Sequence, residues 1–203
     1  LRRPRSVAMW DGLADFAQTA VAAYRRDVWA DQPQLVEVWL EKDALSGIFE
    51  DALAPYGVTL NVGRGYDGWD SIRNAAERYR AARKPVTVLY FGDFDPSGRD
   101  MVRSLGDRLA FFETRPEIVI CALLPEDIAR YHLPPDFAKA TDTRRAAFVA
   151  EYGDAVVELD ALPPDALRAR LTEAVSGRLD LGALARVRAI EERERGQLIR
   201  ALA

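Results

Sequence analysis

Val86-Thr-Val-Leu-Tyr-Phe91 is an unbroken run of apolar and β-branched residues, and it stops at Gly92-Asp93-Phe94-Asp95-Pro96-Ser97-Gly98. A run without polar alternation reads as a strand buried on both faces, the pattern of a parallel sheet covered by helices. Pro96 ends the strand before a helical pattern resumes. Two acids therefore stand at its carboxyl end. If the chain stays extended through Phe94, side-chain alternation puts Asp93 and Asp95 on one side and Phe94 on the other. Carboxylates so placed repel, and a divalent cation relieves the repulsion. Ligands of open α/β sheets gather at the carboxyl ends of strands, so the position suits a working site.

The rest of the chain surrounds this strand in β-α steps. Apolar positions at helical spacing from Leu13 to Tyr24 predict a leading helix within Trp10 to Val28. Leu35 to Leu40 is a first strand ending in Glu41-Lys42-Asp43, and a helix from Ala44 to Tyr56 follows until Gly57 stops it. Val58 to Val62 is a second strand that opens into the glycine-rich loop Gly63 to Gly68, and the next helix runs from Trp69 to about Arg83. The strand at Val86 is third, its helix spans Ser97 to about Phe112, and Ile118 to Leu123 is fourth. Four such steps predict an α/β fold with a parallel sheet of about four strands flanked by helices. Beyond Leu124 the rhythm changes: a short helix at Pro125 to Tyr131, a linker at Leu133-Pro-Pro, a helix over Thr141 to Tyr152 and a fifth, short strand at Ala155 to Asp160. Two charged amphipathic helices, parted near Gly177, fill Pro163 to Ala203. The expected organisation is a helical lead over 1–34, a core over 35–124 and a mostly helical extension over 125–203.

Composition narrows the partners. The 203 residues are 49% hydrophobic, enough for one domain with an appendage. The formal charge is −4 and basic residues are scattered, so an anionic partner must be held by a local patch or through metal. The single cysteine, Cys121, lies in an apolar run, cannot form an internal disulfide and reads as a buried structural thiol; the default setting is cytoplasmic. No apolar run approaches the ~20 residues of a membrane span, so no membrane partner is expected. The chain starts at Leu1 rather than Met, as a piece of a longer protein or one with a trimmed end would.

Glu41 terminates the first strand as Asp93 and Asp95 terminate the third. If those strands are neighbours, three carboxylates converge at one sheet end, the donor set a hard cation such as Mg²⁺ takes together with waters and a phosphate. The loop at the end of the second strand lies at the same edge, where Gly63 and Gly65 let backbone approach a ligand and Arg64 offers a planar donor fork. The plainer alternative is that Glu41 and Asp43 cap a helix and Asp95 begins a turn. A calcium loop starting at Asp93 is rejected, because its twelfth position is Ser104 rather than a bidentate Glu and a strand precedes it. Asp-x-Asp after a strand also opens haloacid-dehalogenase phosphatases, but normally on the first core strand, and here two β-α units come earlier.

Val38-Trp-Leu-Glu41-Lys42-Asp43-Ala44, Gly63-Arg64-Gly65-Tyr66-Asp67 and Asp93-Phe-Asp95-Pro96-Ser97-Gly98, in this order, resemble the Toprim domain in the version of topoisomerase VI A subunits and the related meiotic double-strand-break proteins. The likeness covers roughly Leu35 to Leu124 and rests on three motifs in order and spacing. It implies a Rossmann-like parallel sheet that binds Mg²⁺ or Mn²⁺ through Glu41, Asp93 and Asp95 beside DNA phosphates. Those enzymes cut DNA with a tyrosine on a winged-helix domain, and no such domain is visible before Leu35. Other Toprim proteins hydrolyse with metal-activated water, which needs no tyrosine.

Tyr24, followed by Arg25 and Arg26, could serve as a nucleophile, but on an amphipathic helix a tyrosine is more often core. A second metal needs further acids, and Glu158 and Asp160, with Asp127 behind them, are the candidates; a strand end running into a turn explains the first two equally. Lys42 could stabilise charge on a transferred phosphate or pair with Asp43. Lys139, Arg144 and Arg145 around Thr141-Asp142-Thr143 form either a phosphate-facing loop or a capped helix start. His132, the sole histidine, reads as structural. Three functions follow as expectations: a metal-dependent DNA nuclease acting by hydrolysis, the Toprim half of a DNA transesterase lacking its tyrosine domain, and a non-catalytic metal-dependent module that holds nucleic acid, each with a partner subunit or homodimer open.

Overall fold

In the computed structural model, which describes residues 7–63 and 68–202, the elements run in chain order α1 (Leu13–Ala23), β1 (Leu35–Leu40), α2 (Ser46–Leu53), β2 (Thr59–Val62), α3 (Trp69–Ala82), β3 (Val86–Phe91), α4 (Pro96–Phe111) and β4 (Glu117–Ala122). They continue with α5 (Pro125–Arg130), β5 (Asp136–Phe137), α6 (Arg145–Tyr152), β6 (Ala155–Val156), α7 (Pro164–Ser176) and α8 (Leu181–Leu202). The chain falls into two compact units. One spans Gln32–Leu179, and the other joins the residues up to Asp31 with those from Asp180 onward. The units thus divide the chain at other points than the expected boundaries 34/35 and 124/125, because α7 packs on the sheet unit.

The sheet of the larger unit has four parallel strands in the order β2-β1-β3-β4. Every residue of β1 and β3 after the first is buried, as the unbroken apolar runs require. Alternation assigns the two faces. Trp39, Val88 and Tyr90 pack with Ile72, Ala75, Ala76 and Tyr79 of α3 and with Leu105 and Leu109 of α4. The opposite face of β3 carries Phe91, which meets Phe49 of α2 edge-on at 5.0 Å between ring centres. Helix α2 in turn packs with α7. The chain leaves β1 toward β2 on one side and returns to β3 on the other, so the β1/β3 junction is the topological switch point where such sheets open a ligand crevice.

Past β4 the structure departs from expectation. The stretch at Ala155 to Asp160 is not a fifth strand of the main sheet. Only Ala155–Val156 is β, and it pairs antiparallel with Asp136–Phe137, just after the Leu133-Pro-Pro linker. Leu159–Ala161 is a 3₁₀ turn. The helix expected from Thr141 starts at Arg145, because the Asp142 carboxylate accepts from the Arg144 amide at 2.9 Å and organises a turn ahead of it. Asp127 is not spare for a metal: its buried carboxylate takes two bonds from Arg170, at 2.5 and 2.6 Å, and one from the Leu124 amide at 2.8 Å. Cys121 is a free buried thiol whose pKa burial raises to about 11, as expected of a structural cysteine.

The smaller unit pairs α1 with α8. Tyr24 donates its hydroxyl to Glu194 at 2.5 Å, and Arg26 pairs with the same carboxylate at 2.6 Å. Among the described residues no helix is long and apolar enough to cross a membrane.

The centre of β1 carries one polar group into the core. Glu37, 1% exposed, receives Arg78 of α3 through two bonds of 2.8 Å, Asn61 at 2.8 Å and the Tyr79 hydroxyl at 3.1 Å. Both carboxylate oxygens have donors, the condition under which a buried charge is tolerated. Arg78→Met should therefore destabilise the protein by about 3 kcal/mol, the low end for a buried pair broken on one side, because Arg78 is itself partly exposed. Urea unfolding reads the loss, and adding Glu37→Gln should recover part of it.

Candidate metal centre

Backbone register builds the site before any side chain does. Leu40 pairs with Phe91, and the Glu41 amide donates to the Phe91 carbonyl at 2.9 Å, so the residues after β1 and β3 emerge side by side. Glu41 lies on the Trp39 face by alternation. Its Oε2 accepts from the Asp93 amide at 3.0 Å and from the Tyr90 hydroxyl at 3.4 Å. That approach requires Gly92, since a Cβ there would run into Glu41 Oε2 and the Tyr90 ring. Gly92 and Tyr90 are site residues that sequence reasoning passed over; a glycine between an apolar strand and an Asp-x-Asp pair was the available signal.

The chain stays extended through Phe94, as the pairing of the two aspartates needed. Phe94 and Val157 exchange two backbone bonds of 2.8 and 3.0 Å in an antiparallel bridge, and Phe94 is buried against Phe148 and Tyr152. Asp95, at φ −151° and ψ 171°, caps α4 by accepting from the Gly98 amide at 2.6 Å. The turn reading of Asp95 is thus realised in the structure, with Pro96 in the first turn of the helix and Gly98 obligatory because a Cβ would strike the Asp93 carbonyl. One Asp95 oxygen is used in this cap. Asp93 accepts from the Leu159 amide at 2.6 Å through Oδ1.

The electrostatics follow from that crowding. Burial raises the Glu41 carboxyl to about 7, the nearby Asp93 and Asp95 charges push the same way, and the hydrogen bond from the Asp93 amide only partly offsets them. Asp93 is also raised, chiefly by burial, against the opposing pull of the Leu159 amide and of Lys42. Lys42 does not pair with Asp43. Its Nζ reaches Glu158 at 2.7 Å, Asp160 at 3.0 Å and Asp93 at 3.9 Å. Burial pulls that ammonium down, and the bonds to Glu158 and Asp160 outweigh it and hold the pKa above the ordinary lysine value.

A cleft of about 690 Å³ opens beside these groups, lined among others by Asp95, Ser97, Lys139, Arg144, Glu158 and Asp160. Of the expected nucleic-acid contacts, Lys139 thus borders the cleft, and so does Arg144, whose guanidinium is held by Asp142 at 2.8 and 2.9 Å. Arg145 turns to Asp154 at 2.8 Å instead. Arg64 and Gly65 lie outside the described residues; Gly63, where their loop departs, donates to the Leu40 carbonyl at 2.7 Å and lines a water-sized void of about 20 Å³ together with Glu41 and Tyr90. His132 is exposed at the bend after α5.

Burial first, and the neighbouring Asp93 and Asp95 charges after it, raise Glu41, and a divalent ion placed beside these acids would relieve both costs. Among the described residues no three acidic, histidine or cysteine side chains already close into a cage. An ion such as Mg²⁺ does not need one, since it keeps several waters and takes one or two carboxylates with substrate phosphate. The chain matches no protein-family model and no curated protein.

The raised Glu41 carboxyl has a signed consequence for the metal-free protein. Its folded value of about 7 exceeds the ordinary 4.5, so the native state binds the extra proton between those pH values and stability falls as pH rises through that window. Glu41→Gln should flatten this slope and raise the melting temperature at pH 8 relative to wild type. Thermal unfolding in chelator from pH 5 to 8 measures both, and an unaltered slope would place the strain elsewhere.

Proposed function

We propose that this chain is a Toprim-like protein that acts on nucleic-acid phosphodiesters with Mg²⁺ or Mn²⁺ and cleaves DNA by hydrolysis. The observation that carries the reading is the contact of the Glu41 carboxylate with the Asp93 amide at the carboxyl ends of two adjacent parallel strands, at the switch point of the sheet, with Asp95 two residues further on. The same three residues belong to the motifs that resemble the Toprim domain.

Glu41, Asp93 and Asp95 would hold the ion, which when bound acts as a Lewis acid toward a phosphoryl oxygen and makes water a competent nucleophile near neutral pH. The chain supplies the rest. The Leu159 amide and the Phe94–Val157 bridge fix Asp93, and the cap on α4 fixes Asp95. Lys139 and Arg144 on the cleft wall give a nucleic-acid strand basic contacts next to the acids. Transesterification by Tyr24 is less well supported: its hydroxyl is bonded to Glu194, and that bond first, with burial second, raises its pKa and makes the phenol a poorer nucleophile, whereas a transesterase with its tyrosine on a separate domain would use the same acids.

Plasmid incubated with the chain and Mn²⁺ should be nicked or linearised, with product free of protein. Asp93→Asn should lower the rate by more than the ~10–100-fold that loss of an outer-shell partner costs at metal sites. Product covalently joined to protein would contradict hydrolysis, and cleavage undiminished in Asp93→Asn would contradict the site. Manganese-dependent retention of DNA with no product would make the chain a binding module.

A further inference from the structure

Among the described residues Lys42 is the cation within ion-pair distance of Asp93, and its surroundings are those of an ion. Its Nζ lies 2.7 Å from Glu158, 3.0 Å from Asp160 and 3.9 Å from Asp93 Oδ1. An ammonium has three donors, and the two shorter contacts occupy two of them. A phosphate contact by Lys42 would have to use the remaining donor or displace one of these partners.

Both ends of the arrangement are fixed by backbone. On the β1 side the Glu41 amide is bonded to Phe91, and the Lys42 carbonyl accepts from the Leu45 amide at 3.0 Å. On the other side Val157 is bridged to Phe94, and the Leu159 amide is bonded to Asp93. Glu158 and Asp160 flank that amide in sequence, so the segment that delivers them is tied to the very aspartate that faces the metal position. The Lys42 side chain is only 24% exposed, while Glu158 and Asp160 are 73% and 50% exposed. The lysine is held inside; the two acids reach in from the rim.

We propose that Lys42 serves as the built-in second cation of the centre: its ammonium fills the place among Asp93, Glu158 and Asp160 where a second divalent ion would otherwise bind, and so sets the stoichiometry at one divalent ion per chain. The inference rests on the metal reading of Glu41, Asp93 and Asp95 given above. Lys42 puts a fixed positive charge in ion-pair contact with Glu158 and Asp160 and 3.9 Å from an oxygen of Asp93, the carboxylate that two metal positions would share. A hard divalent ion could use Asp93, Glu158 and Asp160 only by expelling the ammonium, because both need the same oxygens and like charges repel. Lys42 is thus a specificity-determining residue for metal count. A lysine that merely latched the 157–161 segment would alter stability when replaced and leave the number of bound ions unchanged.

Mn²⁺ titration of the full chain, followed by electron paramagnetic resonance of free ion, counts the sites directly. Wild type should bind one ion and Lys42→Met two, the second more weakly. Lys42→Met combined with Asp160→Asn and Glu158→Gln should return to one, and Lys42→Arg should keep one. Thermal unfolding of each variant confirms that the folded chain is being counted. Two ions on wild type, or a single ion on folded Lys42→Met, overturns the proposal while leaving the centre intact. No ion on wild type overturns the metal reading itself.

Discussion

The approach of the Glu41 carboxylate to the backbone at Asp93 is the contact on which the rest of the site depends. It exists because β1 and β3 are parallel neighbours in fixed register and because Gly92 presents no Cβ to the incoming oxygen. The contact offers one amide hydrogen bond and in return crowds acids in a partly buried place, which is why Glu41 is raised to about 7. A fold gains nothing in stability from such crowding. On the proposed reading, a cation bound there would relieve this cost.

The remainder of the larger unit supports that contact from both sides. Below it, the Glu37–Arg78 pair and the Trp39–Tyr79 bond lock α3 to β1, so the helix that follows the 63–68 loop is anchored to the strand that carries Glu41. Above it, the segment from Val157 to Ala161 crosses the end of β3 and fastens Asp93 through the Leu159 amide. Asp127 and Arg170 fasten α7 beside β4 by a buried pair. Side chains held by secondary structure and by such second contacts keep one geometry, as the proposed phosphodiester chemistry would require.

Much of this could be read from residue order. The apolar runs at Leu35 and Val86 located both buried strands, and the acids directly after them mark the candidate site at their ends. Asp95, Pro96 and Gly98 could also be read locally: they are an N-cap, a first-turn proline and a glycine forced by close approach, and the cap leaves one Asp95 oxygen for the proposed ion. What escaped was non-local. Lys42 meets Glu158 across 116 positions and Asp93 meets Leu159 across 66, and no periodicity records such pairs. The short β5–β6 ladder escaped for the same reason, since two-residue strands carry too little pattern, and Asp127 read as available only because its Arg170 partner lies 43 positions away.

The central claim is that Glu41, Asp93 and Asp95 together receive a divalent ion. Proton release on binding tests it most directly. Calorimetry of Mn²⁺ binding at pH 7, repeated in buffers of different ionisation enthalpy, counts the protons expelled. With Glu41 titrating at about 7, the account predicts roughly half a proton released from that carboxyl, and loss of that release in Glu41→Gln. Binding with the same proton count in Glu41→Gln, or no binding by the wild-type chain, would contradict it.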